Sequence, residues 1–342
     1  MKESLDFLAE EVSLEGMPEP ESVPQLGEYQ ILQALDGSSS SLNTCWIARD
    51  GSNNMYHVKR FSGHPEAYRS ASNALKVLRG KNYPKTLLLP SQPVEVENFF
   101  ITPYLGGKNL DERMKTGQVT FQETLSFLTP IAIGLDFIHE QGMLHRDTTP
   151  KNVFLQDTGG CIIPRLTDFD LLIPVQEYCS LIQENEWSKR SMASSGTPLY
   201  MAPEVIRCLP ADGRADLYAL ALIAFQCITG HHPFFDKNPY RAQLLHCDAP
   251  VPSASRYNAK IPSEIDDVFF TALAKSPEER YQTCRQFIEK LFRAGRYSSA
   301  AGTTMQRVPI SSALWSALFN LHRRFVRNKP TEGRLPGYPA NR

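Results

Sequence analysis

Apolar residues near the start of the chain fall into short runs that are rich in β-branched and aromatic side chains. Three of these runs are YQILQAL at 29–35, NTCWIARD at 43–50 and NMYHVKRF at 54–61. Glycine, serine, aspartate and asparagine separate them, which is typical of strands joined by turns. The pattern predicts an antiparallel meander that begins near Glu28.

The next part of the chain contains both a helical and a strand-like pattern of apolar residues. A helix is predicted over 65–78, and two further strands are predicted at PVEVE, 93–97, and NFFITPYL, 98–105. Further on, apolar residues recur at i, i+3 and i+4, which predicts helices. These helical segments are 121–142, 216–230 and 263–275.

The order of these elements predicts an α+β fold with two lobes. A small lobe with an antiparallel β-sheet covers 28–102, a hinge covers 103–107, and a larger, mainly helical lobe covers 108–293. The longest apolar run, from Leu217 to Ile228, is too short to span a bilayer and predicts a buried core helix.

Composition limits where the protein works and what it binds. Seven scattered cysteines without a C-x-x-C pair favour a reducing compartment over a disulfide framework. The first residues lack the apolar core of a secretory signal, so a cytoplasmic protein is expected. A formal net charge of -1 gives no reason to expect a nucleic-acid partner.

The two ends of the chain carry opposite charge. Residues 1–27 contain seven acids and one base, and they read as a disordered leader. Residues 294–342 contain eight bases and one acid, and they read as a linker followed by a basic amphipathic helix at 310–329. Such a helix either contacts a membrane surface or an acidic partner, or packs against its own domain; the second interpretation is favoured.

Polar motifs give the chain its candidate chemistry. HRDTTPKN at 145–152 places a carboxylate, two cations and a carboxamide within eight positions. Each motif alone is weak evidence of function, but the order and spacing of several motifs are stronger evidence. In chain order the motifs are HVK at 57–59, HRDTTPKN at 145–152, TDFD at 167–170, GTPLYMAPE at 196–204, ADLYAL at 215–220 and SPEERY at 276–281.

This series resembles the protein kinase superfamily over about residues 28–293, and 261–283 is similar to bacterial Ser/Thr kinases of the eukaryotic type. The resemblance implies a bilobal kinase fold, ATP and Mg²⁺ as cofactors, and a protein substrate. Asp147 would accept the proton of the substrate hydroxyl. Asn152 and Asp168 would hold magnesium, and Lys59 would reach the ATP phosphates.

The resemblance also assigns nucleotide-contacting and supporting roles. The backbone of Pro103 to Leu105 would contact adenine, Pro103 through its carbonyl alone because it has no N–H, with Thr102 as gatekeeper. Structural roles fall on a buried Glu204–Arg280 ion pair and on Asp216, which would support the catalytic loop.

Regulation would centre on the segment between Asp168 and Glu204. Arg146 would meet a phosphate on this segment, for which Ser191, Ser194 and Ser195 are candidates. A flexible serine-rich loop explains the same residues equally well. Thr197 would approach the catalytic aspartate, which favours Ser or Thr over Tyr as the acceptor.

Two departures concern the small lobe. Ser38, Ser40 and Asn43 stand at the three positions of the glycine-rich loop, where glycine permits close backbone approach. The helix after Lys59 has Ala71, or Ala74 in a shifted register, where these kinases carry the glutamate that positions the lysine. Lys59 is therefore expected to lack its positioning partner.

Further departures surround the catalytic motifs. Asp170 replaces a glycine, and a solvated turn residue is favoured over an extra metal ligand. Thr149 stands in the place of a lysine that touches the transferred phosphate, and Lys151 is expected to be exposed rather than to replace it. His57 replaces a small residue above adenine and would narrow the pocket.

Together these features predict a Ser/Thr kinase of low or conditional activity that transfers the γ-phosphoryl group of ATP to a protein hydroxyl. The alternative is a pseudokinase that acts as a binding scaffold. A small-molecule phosphotransferase is disfavoured, because GTPLYMAPE, Asp216 and Arg280 belong to the protein-substrate half of the kinase lobe.

Overall fold

The structure, a computed structural model, describes residues 26–35, 45–61, 65–91, 98–183, 196–258 and 261–297. It has a small lobe built on an antiparallel sheet and a larger helical lobe, so the predicted α+β bilobal fold is confirmed. Several predictions lie outside the described residues. They are the acidic leader before residue 26, the glycine-loop positions, the strand at 93–97, the three serines 191, 194 and 195, and the basic helix at 310–329.

The sheet of the small lobe is a four-stranded antiparallel meander in chain order. Strands β2 and β3 pair so that Lys59 lies opposite Cys45, and β3 and β4 pair so that Lys59 lies opposite Phe100. Val58, the one fully buried residue of β3, lies in the sheet's own apolar cluster with Ala48 and Ile101. The strands are β1 (Gln30–Leu35), β2 (Cys45–Arg49), β3 (Met55–Arg60) and β4 (Phe99–Pro103).

Helix α1 (Pro65–Arg79) packs across the other face of this sheet. Tyr68 and Phe61 contact each other at ring centroids 6.0 Å apart, and Tyr68 lies 5.0 Å from Phe100. The same helix contributes Leu75 and Leu78 to the core cluster that continues into the large lobe. It is therefore the packing link between the two lobes.

After the hinge, two helices begin with reciprocal side-chain caps. Asn109 and Glu112 form a capping box at α2, and Thr120 and Glu123 form one at α3, which satisfies backbone N–H groups that the helices leave unpaired. These elements are β5 (Gly107–Asn109), α2 (Leu110–Lys115) and α3 (Phe121–Glu140).

Four further short strands, β6 to β9, lie on either side of the HRDTTPKN and TDFD motifs. Strands β5, β7 and β8 form one sheet, and β6 and β9 form a second. The HRDTTPKN loop, which is the predicted catalytic loop, lies between β6 and β7, and the TDFD turn lies between β8 and β9. These strands are β6 (Met143–Leu144), β7 (Val153–Asp157), β8 (Ile162–Leu166) and β9 (Ile173–Pro174).

The remaining helices build the core of the large lobe. Every residue of the predicted run from Leu217 to Ile228 is buried except Gln226, which confirms a core helix. Within the described ranges, no helix combines the length and apolar character needed to cross a bilayer. The helices are α4 (Val175–Gln183), α5 (Pro203–Ile206), α6 (Arg214–Thr229), α7 (Pro239–Asp248), α8 (Ser263–Ala272) and α9 (Cys284–Tyr297).

A buried ion pair fixes α5 to the loop before α9. Both terminal nitrogens of Arg280 lie 2.7 Å from the carboxylate oxygens of Glu204. The Arg280 side chain is 0% exposed, and its nitrogens also donate to the carbonyls of Arg214, Ala274 and Lys275. Because every donor site has a nearby acceptor, the pair that the sequence suggested can exist without an unsatisfied charge.

Removing one member of this pair should destabilise the large lobe strongly. We expect Glu204→Ala to lower the free energy of unfolding by about 3–5 kcal/mol, because the Arg280 guanidinium would stay buried without its counter-charge. Urea denaturation measures the change. Glu289→Ala, which breaks an exposed i, i+4 pair with Arg293, is the matched control and should change stability by about 0.5 kcal/mol or less. Equal effects of the two substitutions would contradict this assignment.

Candidate active site

Asp216 on α6 holds the first residues of the catalytic loop. Its carboxylate accepts the backbone N–H groups of His145 and Arg146, both at 2.9 Å, and also lies 2.9 Å from His139 Nε2. Burial opposes ionisation, yet the contacts with His139 and His145 hold the pKa of Asp216 below its ordinary value. The loop is thus attached to the core helix by an ionised, 2% exposed carboxylate.

Two local features allow this attachment. Arg146 has φ of 70°, a left-handed conformation that non-glycine residues rarely adopt and that often marks functional loops. Gly213, just before α6, leaves room for the His139 ring, since a Cβ there would lie 2.5 Å from it. The close packing therefore fixes the ring that contacts Asp216.

Asp147 is held by two neighbours on opposite oxygens. Asn152 Nδ2 donates to Asp147 Oδ2 at 2.7 Å and to its backbone carbonyl at 2.8 Å. Thr197 Oγ1 donates to Oδ1 at 2.7 Å, so GTPLYMAPE does approach the catalytic loop as expected. Burial, and then the charge of Asp168, raise the pKa of Asp147, which makes its carboxylate a better proton acceptor.

Lys59 reaches across the cleft between the lobes to two carboxylates. Its Nζ lies 3.0 Å from both carboxylate oxygens of Asp168 and 2.5 Å from Oδ2 of Asp170. The exposed fractions of the three side chains are 18%, 28% and 9%, in that order. A lysine on a small-lobe strand and a turn of the large lobe therefore meet directly.

Two expectations from the sequence are corrected here. Asp170 is not a solvated turn residue, because it is buried beside Lys59. Lys59 does not lack a partner, although none of the residues expected on α1 supplies one. The sequence offered no signal for this placement, because a polar residue in a turn is usually solvated and the burial of the adjacent Phe169 is seen only in the structure.

The charges of this cluster suit a divalent cation. Burial and then the neighbouring Asp168 raise the pKa of Asp170 to about 8, whereas Lys59 holds the pKa of Asp168 below its ordinary value despite burial. One lysine thus cannot keep the whole acidic cluster ionised. Asn152 donates its amide N–H to Asp147, so its carbonyl oxygen is the atom that would bind a metal ion together with Asp168. Carboxylate and amide oxygens are the ligands that Mg²⁺ prefers, so these residues fit that ion.

Strands β2, β3 and β4 form the small-lobe side of the cleft, and the predicted hinge begins at the end of β4. His57 lies between Ile47 and Thr102 in the strand register, at the position where the sequence predicts a narrowed pocket. Tyr104 donates its backbone N–H to Met55 at 2.8 Å. Within the described part of the chain, the backbone N–H of Leu105 has no backbone acceptor, and it is the donor that the resemblance assigns to adenine.

The other predicted positions are placed as follows. The Arg146 guanidinium lies 5.4 Å from the centroid of the Tyr178 ring, on the helix that follows the TDFD turn. Lys151 is exposed and Thr149 is buried, in agreement with the expectation that Lys151 does not replace the missing lysine.

Comparisons with known proteins agree with this geometry. The sequence model of the protein kinase domain matches residues 64–293. The "Probable serine/threonine-protein kinase PknB" of Corynebacterium glutamicum is 30% identical over 203 residues, 58% of this chain and 30% of that protein. The "DNA damage-responsive serine/threonine-protein kinase RqkA" of Deinococcus radiodurans is 32% identical over 198 residues, 57% of this chain and 28% of that protein.

A solved structure gives the same fold. The PknI kinase domain of Mycobacterium tuberculosis superposes with a TM-score of 0.59 at 22% identity, covering 79% of this chain and 98% of that one. The chain spans about 30% of the length of the first curated relative. Since the family match covers more than half of the chain, the chain belongs to the protein kinase domain family. The match begins after Lys59, whose assignment therefore rests on its contacts.

The raised pKa of Asp170 has a consequence for stability in the absence of metal. A carboxyl group with a pKa of about 8 in the folded protein and about 3.9 when unfolded binds its proton more tightly when folded, so it destabilises the fold increasingly as pH rises between these values. We expect Asp170→Asn to raise the melting temperature relative to wild type more at pH 8 than at pH 5. The corresponding difference in the free energy of unfolding is on the order of 1–3 kcal/mol.

Thermal melting in EDTA over this pH range measures the difference. Asp248→Asn, at a 71% exposed side chain, should show little pH-dependent difference. A difference between Asp170→Asn and wild type that stays constant with pH would contradict the assignment.

Proposed function

We propose that the protein is a Ser/Thr protein kinase that transfers the γ-phosphoryl group of ATP to a protein hydroxyl in the presence of Mg²⁺. The observation that carries this proposal is the hydrogen-bonded set of Asp147, Asn152 and Thr197, together with the contact between Lys59 and Asp168. A base, a metal-ligand pair and a phosphate-binding cation are the parts that phosphoryl transfer requires.

The residues would divide the work in the following way. Lys59 would bind the nucleotide phosphates, and the hinge from Pro103 to Leu105 would bind the base. Bound Mg²⁺, held by Asn152 and Asp168, would offset the charge of the phosphates. Asp147 would accept the proton of the attacking hydroxyl, oriented by its bonds to Asn152 and Thr197.

The choice of a protein hydroxyl rests on the large lobe. The contact between Thr197 and Asp147 brings GTPLYMAPE to the catalytic base, and this supports Ser or Thr as acceptor. The relatives' names point the same way, since they describe serine/threonine-protein kinases. The contact of Lys59 with Asp168 and Asp170 weighs against the pseudokinase alternative, because it supplies the partner that the lysine seemed to lack.

The compartment, the regulation and the further contacts of the protein are also proposals, and they rest mainly on the sequence. A cytoplasmic location is supported by seven cysteines that all stay free thiols in the described structure. Control by phosphate on Ser191, Ser194 or Ser195 is supported by the position of Arg146 beside the segment that leads to them. Contact of 310–329 with a membrane surface or an acidic partner is supported by its basic residues alone.

Substitution of the catalytic base tests the proposed activity. We expect Asp147→Asn to reduce phosphate transfer from labelled MgATP by about 10²–10⁴-fold, because the amide cannot accept the hydroxyl proton. The transferred label should lie on Ser or Thr when the products are analysed by mass spectrometry.

Asp248→Asn is a matched control that removes the same charge at the surface and should leave transfer unchanged. Equal incorporation by wild type and Asp147→Asn would reject the kinase proposal, as would an absence of incorporation by wild type.

A further inference from the structure

We infer that Asp170 is the positioning residue for Lys59, in the role that protein kinases give to a glutamate on the first helix. This inference rests on the proposed function, since it concerns the lysine that would bind the nucleotide phosphates. The juxtaposition that carries it is the 2.5 Å contact between Lys59 Nζ and Asp170 Oδ2 in a chain whose α1 has no inward carboxylate.

The sequence of α1 leaves Lys59 without a helix partner. Its buried positions are Tyr68, Ser70, Ala71, Ala74, Leu75 and Leu78, none of which is acidic. Glu66 is the one acid of the helix, and it is exposed in the first turn. Both registers considered for the glutamate position therefore place a buried alanine where the carboxylate is missing.

Asp170 meets the requirements of a replacement. Its side chain is 9% exposed, and a carboxyl group this deeply buried is retained where a nearby charge or hydrogen bonds offset the loss of solvation. Lys59 is the cation beside it, with its Nζ 2.5 Å from Asp170 Oδ2. The residue belongs to the large lobe, whereas Lys59 lies on β3 of the small lobe, so the contact ties the two lobes together.

The backbone around Asp170 is fixed on both sides. Phe169 is fully buried and packs edge-to-face on His145, with ring centroids 5.0 Å apart. The backbone N–H of Leu172 donates to the Phe169 carbonyl at 3.1 Å, which closes a tight turn around Asp170. A carboxylate on a turn held this way can orient a lysine, whereas a residue on a mobile segment cannot.

The replacement changes what Lys59 depends on. A carboxylate on α1 would make the position of Lys59 depend on the position of that helix. Asp170 instead lies two residues after Asp168, so the residue that positions the lysine and the proposed metal ligand belong to one turn. The nucleotide-binding arrangement is then assembled by closure of the two lobes on each other rather than by an inward movement of α1.

A double-mutant cycle separates positioning from a merely structural role. We would measure MgATP affinity by calorimetry, and kcat and KM for phosphate transfer, in wild type, Asp170→Asn, Lys59→Met and the double variant, with Asp248→Asn as the surface control. We expect Asp170→Asn to lower kcat by roughly tenfold or more and to weaken MgATP binding by about three- to tenfold, because Lys59 loses orientation rather than charge. In the Lys59→Met background it should have no further effect on either quantity.

The alternative outcomes are distinct. If wild type neither binds MgATP nor transfers phosphate, the proposed function fails and takes the inference with it. If wild type is active but Asp170→Asn matches it, or binds and turns over faster because Asp170 only sequesters Lys59, the inference alone is overturned. Equal losses from Asp170→Asn with and without Lys59 would indicate a structural role and would also overturn it. Melting temperatures in EDTA verify that each variant is folded.

Discussion

The contact of one lysine with two carboxylates across the interlobe cleft is the interaction on which the rest of the site depends. Lys59 is anchored by the antiparallel sheet, and Asp168 and Asp170 are anchored by the buried Phe169 between them. Neither lobe holds the complete set of groups that the proposed phosphoryl transfer requires. The cation comes from the small lobe, and the proposed base and metal ligands come from the large lobe, so the proposed site exists only where the lobes meet.

Three sets of buried polar contacts in the large lobe hold its part of the proposed site in place. Asp216 fixes the loop backbone, Asn152 and Thr197 fix the carboxylate of Asp147, and the Glu204–Arg280 pair fixes the segment that follows Thr197. In each set a carboxylate accepts hydrogen bonds from other groups of the protein. Positioning provides most of the rate enhancement in phosphoryl transfer, so this support would serve the proposed activity as well as the stability of the lobe.

Much of this arrangement is predictable from the order of residues. Hydrophobic periodicity locates the strands around Lys59 and the core helix at 217–228, and the resemblance to protein kinases selects Asp147, Asn152, Asp168 and Thr197. Asp170 escapes such reasoning because its environment depends on distant elements: a polar residue in a turn is usually solvated, and only the packing of Phe169 turns it into the cleft. The short helix α4, which carries Tyr178 under Arg146, is missed for the same reason, since its apolar face is set by contacts with the large lobe.

The central claim is that Lys59 and Asp168 form one nucleotide site across the cleft. The most direct test is the thermal shift of the purified protein with ATP in the presence of Mg²⁺ and in EDTA, repeated with Asp168→Asn. The account predicts that MgATP raises the melting temperature of wild type, that ATP in EDTA raises it less, and that Asp168→Asn removes the magnesium-dependent part. A wild-type protein whose melting temperature does not respond to millimolar MgATP would contradict it.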